Sequence, residues 1–298
     1  MIRKVPALNK KVFVVIVTYN GAQWIDKNIT SLLNSSYPVN VIAIDNNSHD
    51  SSVALLKKFS QVHMIKSEEN LGFGKANNIG IRKALEEGAD YVFLLNQDAW
   101  VFEDTIARLV EVMEQNVSTG IVSPAHYLAD EKNLDANFKT YLYRSTPLHT
   151  TECLFATKFV NAAAWMLSRK CIEKVGLFEP LFSHYGEDRN YCDRVLFHKF
   201  FILIGTNSKI VHDRNITRNF KKDTIQSQYK ILCTLLNPNK SLIKSYALAF
   251  KEVAGLPKFF SKHYGFFNGA GLFGNLLSYY IKHVFAVNHI KSIRKSHR

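Results

Sequence analysis

Short runs rich in β-branched residues alternate with longer stretches of helical spacing through residues 12–115, and few folds accept that rhythm. The short runs are Val12–Thr18, Val39–Asp45, Val62–Lys66 and Tyr91–Asn96. Between them lie Trp24–Asn34, Ser51–Phe59 and Lys75–Glu87, and Asp104–Gln115 continues the pattern with Ile106, Leu109, Val110 and Met113 on one face. A helix between successive strands returns the chain to the same end of the sheet, so the strands run parallel and are covered on both faces. The predicted class is therefore α/β, a Rossmann-like and mostly parallel central sheet flanked by helices. With 47% hydrophobic residues in 298, the chain has ample material for that core. The apolar stretch Val12–Val17 follows positive charge, but it is too short for the apolar region of a signal peptide and no small-residue cleavage site follows. It reads as a buried first strand.

After Val117 the rhythm loosens. Residues 125–155 are polar and irregular, Lys158–Ser168 is apolar, and Arg169–Val175 reads as a short helix ended by Gly176. Tyr185–Lys199 is a further helical stretch, followed by two predicted strands, Phe201–Ile204 and Lys209–His212. From Thr224 onward the pattern is helical, aromatic and basic, so a soft boundary falls near residues 215–223. Charge divides in the same way: Lys240–Arg298 holds eight Lys and two Arg against Glu252 alone, a net +9 of the total +13. A basic tail serves nucleic acid, an anionic membrane face or an acidic substrate, and composition does not choose among them. Cys153, Cys171, Cys192 and Cys233 are widely spaced without a CxxC pair, which reads as reduced thiols in a cytosolic protein.

Ligands of open parallel sheets bind outside the carboxyl ends of the strands. The first predicted strand ends in Thr18-Tyr19-Asn20, and the second leads into Asp45-Asn46-Asn47-Ser48-His49-Asp50-Ser51. The third leads into Asn70-Leu71-Gly72-Phe73-Gly74-Lys75-Ala76-Asn77-Asn78, and the fourth into Asn96-Gln97-Asp98. Taken singly, such residues are ordinary helix caps and turns. All four tips on one edge carry hydrogen-bonding side chains, which points to a polar ligand lying across that edge.

The ordered set VVIVTYN, AIDNNSHDSS, ENLGFGKANNIGI, VFLLNQDAWV and HYGEDRNYCDRV resembles the family 2 glycosyltransferases of GT-A fold, and within them the rhamnosyltransferase-like enzymes of bacterial surface-polysaccharide assembly. The resemblance covers about residues 11–215. It implies a catalytic domain at 1–220, with a nucleotide-sugar-binding half at 11–120 and an acceptor-binding half at 121–220, followed by a helical basic and aromatic extension at 221–298. It further implies an inverting transfer of sugar from a UDP- or dTDP-sugar to a saccharide or lipid-linked saccharide acceptor, in the cytoplasm and peripheral to the cytoplasmic face of the inner membrane.

On that resemblance Thr18, Tyr19, Asn20 and Asn47 line the nucleotide pocket, and Asp45 accepts the N3–H of a uracil or thymine base, because a carboxylate offers only acceptors there. Gly72 and Lys75 lie beside the nucleotide, and Asn78 holds its ribose or the loop. Asn96-Gln97-Asp98 falls where the family carries its Asp-X-Asp motif, with Asp98 as the carboxylate for Mg²⁺ or Mn²⁺ and His212 as a second ligand. Asp188 is implied as the general base, with Glu187 holding acceptor or sugar. Arg194 closes that motif as a structural or phosphate partner. Asn161-Ala162-Ala163-Ala164-Trp165 runs beneath the sugar, with Trp165 stacking on the acceptor or buried as plain core.

The tail segment Leu256–Arg298 mixes aromatics with Lys and Arg and is interrupted by Asn268, Asn275, Ser278, Lys282 and His283. Two readings stand: an amphipathic contact with an anionic membrane, or a helical cap over the catalytic domain. Three other classes compete for the whole chain. A nucleotide-sugar pyrophosphorylase would want a Gly-rich loop with Arg and Lys after the first strand, where this chain has Tyr-Asn-Gly-Ala-Gln. A nucleic-acid binder would want a recognition element among the basic residues, so no nucleic-acid partner is expected. A catalytically inactive relative would have no need of Glu187-Asp188 and Asp98.

Overall fold

The computed structural model describes residues 10–148, 153–214 and 219–298. Within the predicted boundary, residues 215–218 lie outside the described residues. Four strands, β1 (Val12–Thr18), β2 (Val39–Asp45), β3 (Val62–Lys66) and β4 (Tyr91–Asn96), pair in parallel in the order β3-β2-β1-β4. All four occupy the predicted residues. The connecting helices are α1 (Ala22–Leu33), α2 (Ser52–Leu56) and α3 (Gly72–Glu86). Both faces of the strands are covered, so nearly every residue of β1 and β4 is buried instead of alternating with polar ones. Phe13, Val15, Ile42, Ile44, Val92 and Leu94 face one core with α3; Val12, Val14, Ile16, Phe93 and Leu95 face a second core with α1.

Beyond β4 the sheet becomes mixed. β5 (Ala99–Val101) precedes α4 (Thr105–Gln115), β6 (Thr119–Tyr127) and α5 (Ala136–Tyr143). Then come β7 (Thr146–Pro147), β8 (Leu154–Thr157), β9 (Ala164–Ser168), α6 (Arg169–Val175), α7 (Glu187–Phe197) and β10 (Phe201–His212). The ten-stranded sheet continues β4-β9-β6-β10-β8-β7, with β5 against β10. β9 lies antiparallel between β4 and β6, while β10 is parallel to β6. The two strands predicted at Phe201–Ile204 and Lys209–His212 are one strand, with a register shift between Gly205 and Lys209. The turn-forming residues Thr206-Asn207-Ser208 are absorbed as an irregularity within continuous pairing. Segment 125–155, read as irregular, contains α5, whose N-cap Asp135 accepts the Phe138 N–H at 2.9 Å.

The remaining chain is helical: α8 (Phe220–Leu236), α9 (Leu242–Tyr264), α10 (Phe266–Phe285) and α11 (Val287–Ser296). These helices share a third core, of Ile231, Leu235, Val253, Leu272, Leu276 and Ile290, into which Phe182, from the segment before α7, inserts. Buried Arg294 donates to Leu235 O at 2.7 Å and Ser245 Oγ at 3.1 Å, fixing α11 against α8 and α9. His297 Nε2 meets Glu179 Oε2 at 3.0 Å, tying the last turn to the loop after α6.

Candidate active site

Parallel register puts the strand tips together. Thr18 pairs with Asp45, and Val17 with both Ile44 and Asn96, so the segments that leave β1, β2 and β4 emerge side by side. Gln97 clips two of them: its Oε1 accepts Thr18 Oγ1–H at 2.9 Å and Tyr19 N–H at 2.8 Å, and its Nε2 donates to Tyr19 O at 3.2 Å. In this structure the amide of Gln97 holds the first tip against the fourth, with one Nε2 hydrogen still free of these bonds. Asn20 and Asn47 sit in left-handed backbone conformations, with φ of 48° and 67°, which Asn tolerates better than most residues. Asn20 N–H donates to Ser48 Oγ at 3.0 Å, and its Oδ1 accepts His49 N–H at 2.8 Å, so the first two tips lock across each other. Under this cover Asp45 is fully buried; its Oδ2 accepts Ser48 N–H at 3.4 Å, while Oδ1 has no hydrogen-bond partner.

Asn46 was assigned no role from sequence, yet it binds the β2 tip to the α3 entry. Its amide donates to Asn70 Oδ1 at 3.0 Å and its Oδ1 accepts Leu71 N–H at 2.8 Å. The glycines that follow serve close packing. Gly72 has φ +76°, and a Cβ there would lie 1.7 Å from Ser183 O; one at Gly74 would lie 3.2 Å from Phe178 Cβ and 3.6 Å from Glu187 Cβ. They let the start of α3 press against the 178–187 segment. Lys75 and Asn78 line a pocket with Arg82, Glu179 and His297. Asn78 clamps Phe178, donating to its O and accepting its N–H, both at 2.9 Å.

The main cleft, about 610 Å³, opens on the same sheet edge, within the usual size for a small-molecule site. Asn96, Asp98 and His212 form one wall. Antiparallel pairing of β5 with β10 sets Ala99 opposite His212 and so brings Asp98 to the ring: Asp98 Oδ1 lies 3.3 Å from His212 Nε2, and Asn96 Nδ2 lies 3.5 Å from the same nitrogen. His212 Nδ1 is buried without a partner. Among the described residues no group of three His, Cys, Asp or Glu forms a metal cage. Two adjacent donors nevertheless suit an oxygen-seeking divalent ion, because neighbouring ligands at about 2.1 Å from a metal stand roughly 3 Å apart and phosphate oxygens complete the shell. Behind this wall His126 is held neutral, its pKa driven well down by burial and by His212 and Arg214 nearby.

The same cleft is lined by the pair Glu187 and Asp188, at the start of α7. Gly186 enters the helix at φ +88°, a conformation that turns the chain sharply before the two carboxylates. Burial and the neighbouring Asp188 charge push the Glu187 carboxyl up to about 8, and Glu187 Oε2 has no hydrogen-bond partner. Asp188 opens partly to the cleft and accepts Arg189 N–H at 2.7 Å. Its pKa is also raised, by burial, against the lowering effect of Arg189 and of the Ala162 N–H. Asn161, Ala162 and Ala163 form the floor. Trp165 does not reach it: the ring is fully buried, stacked on Phe178 with centroids 6.3 Å apart, which corrects its assignment to the acceptor. Arg194 is likewise buried, donating to Val175 O at 2.9 Å and Leu177 O at 2.6 Å. It staples the loop after α6 to α7 and makes no contact with the cleft.

Cleft residues that sequence reading did not assign include Tyr141 and Arg214 and, from α8, Lys222 and Gln226. Arg214 grips Asp135 through two hydrogen bonds, of 3.0 and 2.9 Å. Its position two residues after His212 was the one available signal. Lys222 and Gln226 had none, because only the docking of α8 brings them to the site.

Comparison with known proteins bears on the family and the fold. The family model "Glycosyl transferase family 2" matches residues 13–176. The dTDP-rhamnosyl transferase RfbF of Shigella flexneri is 30% identical over 212 residues, covering 69% of this chain and 70% of that protein. The mannosyltransferase PcManGT of Pyrobaculum calidifontis, solved with GDP-Man and Mn²⁺, superposes with a TM-score of 0.62 over 98% of this chain and 87% of its own, at 15% identity. S. aureus TarS, solved with UDP-GlcNAc, gives 0.60 over 86% of this chain and 73% of its own, at 13% identity. At such identities the solved structures establish the shared GT-A fold, while the sequence matches establish descent. The chain belongs to glycosyl transferase family 2.

Proposed function

We propose that this protein transfers a sugar from a UDP- or dTDP-sugar to a hydroxyl of a saccharide acceptor in surface-polysaccharide synthesis, by a single inverting displacement. The observation that supports the reading is that one cleft at the strand tips is lined both by the adjoining Asp98 and His212 and by the carboxylates Glu187 and Asp188. A single displacement needs a base on the acceptor side and stabilisation of the departing nucleoside diphosphate on the other, and needs no enzyme nucleophile. Asp188 is the base: it opens to the cleft, and its raised pKa makes it a better proton acceptor than an ordinary aspartate. Glu187, protonated at neutral pH, donates a hydrogen bond to sugar or acceptor and leaves the negative charge of the pair on Asp188.

Asp98 and His212 would hold Mg²⁺ or Mn²⁺, which supplies charge neutralisation for the diphosphate. Arg214, held by Asp135, lines the same cleft and has guanidinium N–H groups beyond the two that Asp135 accepts. The unpartnered Asp45 Oδ1 suits the N3–H of uracil or thymine, reached when the Asn20 and His49 cover parts. The likeness to a dTDP-rhamnosyl transferase makes dTDP-rhamnose the first donor to try. The outer face of α9 and α10, aromatic and basic, supports peripheral contact with an anionic membrane from the cytoplasmic side.

The test is release of UDP or dTDP from a panel of nucleotide sugars with Mg²⁺ or Mn²⁺, comparing wild type with Asp188→Asn. One donor should be hydrolysed slowly, chelator should stop the reaction, and the variant should be slower by roughly 10²–10⁴-fold while still binding nucleotide. Undiminished hydrolysis by Asp188→Asn would remove that residue as the base toward water. Silence across the panel together with no nucleotide binding in calorimetry would sink the transferase reading.

A further inference from the structure

Helix α1 carries a polar group where its own packing wants none. Its buried stripe is Ile25, Asn28, Ile29 and Leu32, so Asn28 stands at a position that periodicity gives to an aliphatic residue. Asn is a poor helix former, and a buried amide costs free energy unless it is hydrogen-bonded. Both amide hydrogens of Asn28 are used outside the helix: Nδ2 donates to Asn96 O at 3.0 Å and to Ala99 O at 2.6 Å. Those two carbonyls bracket the turn Gln97-Asp98 between β4 and β5.

The same side of α1 makes two further bonds. Four residues before Asn28, Trp24 Nε1–H donates to Asp213 Oδ2 at 3.1 Å; three residues after it, Ser31 Oγ accepts Val101 N–H at 3.1 Å. Spacings of four and three place these side chains on one face of a helix. Asp213 adjoins His212 and donates its own N–H to Asp98 O at 2.8 Å. The face therefore grips the turn that carries Asp98, the strand that leaves it and the residue beside His212. That grip matters because Asp98 and His212 follow or end strands, β4 and β10, that β9 and β6 separate in the sheet. Only the three-residue pairing of β5 with β10 joins them directly.

We infer that Trp24 and Asn28 are positioning residues for the metal wall, holding Asp98 Oδ1 and His212 Nε2 at the 3.3 Å separation that lets one divalent ion take both. This inference rests on the proposed transferase reading and extends it to two residues that α1 keeps behind the ligands. If the bonds served only to dock α1 on the sheet, their loss would lower stability and leave metal affinity alone.

Calorimetry on the full chain separates the two roles. Binding of dTDP and of UDP is measured in EDTA and across a Mn²⁺ series, which gives the Mn²⁺ concentration at which nucleotide binding is half-tightened. Trp24→Phe keeps an aromatic ring and removes the indole N–H; Asn28→Leu completes the apolar stripe and removes both donors. Each should raise that half-point by about tenfold or more and leave nucleotide affinity in EDTA within about twofold of wild type. Ile29→Val trims the core face of the same helix, so it should lower Tm and leave the half-point in place. An unmoved half-point in Trp24→Phe or in Asn28→Leu overturns the inference, as does an equal shift in Ile29→Val, which would mark general loosening of α1. Should Asn28→Leu fail to fold, Trp24→Phe, at a half-buried site, decides alone. Nucleotide binding indifferent to Mn²⁺ in the wild type defeats this inference and leaves sugar transfer standing; failure of both nucleotides to bind defeats the transferase reading beneath it.

Discussion

Two adjacent carboxylates at the start of one helix repel each other, and here burial adds to the repulsion. The Glu187 carboxyl, ordinarily near 4.5, is raised to about 8. A carboxyl with a higher pKa folded than unfolded holds its proton more tightly in the folded state. Its contribution to stability is therefore complete below 4.5 and is lost as pH rises toward about 8. The Tm of the wild type should fall across that window, and Glu187→Gln, which has no proton to lose, should show a flatter profile. Parallel profiles for the two proteins would mean that Glu187 ionises as a solvated group. The place of this pair at the start of a helix was legible in the motif HYGEDRNYCDRV, because acidic residues favour the first helical turn. What Gln97, Trp165 and Arg194 do was not. Each belongs to a recognisable motif, but whether a polar group meets a ligand or a neighbouring carbonyl depends on backbone brought from elsewhere: Tyr19 for Gln97, and Val175 and Leu177 for Arg194.

At the scale of elements, the entry of α3 is set by how closely it approaches the loop before α7. Gly72→Ala should cost more than about 2 kcal/mol, combining a left-handed backbone with a Cβ driven into Ser183 O. Gly88→Ala is the natural control, since Gly88 has a similar φ of +84° but open space around it, and should cost only about 1 kcal/mol. Urea unfolding of both variants separates strain from contact; equal losses would show that the Ser183 approach is not limiting. The first four strands were readable because their β-branched runs are short and their helices regular. β10 was read as two strands because Gly205 and Asn207 are turn residues by local preference, overridden by pairing with β6 on both sides of the irregularity.

For the molecule as a whole, α8–α11 present two different surfaces. The inner one closes a core with Phe182, as a cap would, and the outer one leaves Phe250, Phe259, Phe266, Phe267 and Phe285 exposed among lysines. No helix among the described residues is long and apolar enough to cross a membrane. Exposed aromatics beside excess cations instead fit contact with an anionic surface. Phe266→Ser with Phe267→Ser should lower partitioning onto phosphatidylglycerol vesicles by about tenfold or more in a sedimentation assay, and added salt should weaken the wild type as well. Equal partitioning of wild type and variant, or no preference for anionic over neutral vesicles, would assign these rings another purpose. Both readings of the tail were open in the sequence, and the helical packing accommodates them together, one on each face.

The sequence by itself determined the parallel half of the sheet, the polar residues along its carboxyl edge and the family. Each of these follows from periodicity within a few residues or from motifs in order along the chain. Tertiary structure alone decided which motif residues reach the cleft. Antiparallel pairing of β5 with β10 carries His212 to Asp98, β9 inserts between β4 and β6 to lay Ala162 and Ala163 on the floor, and α8 delivers Lys222 and Gln226. Those meetings join segments far apart in the chain, where the energy lies in mutual burial and register. No local preference of either partner records them.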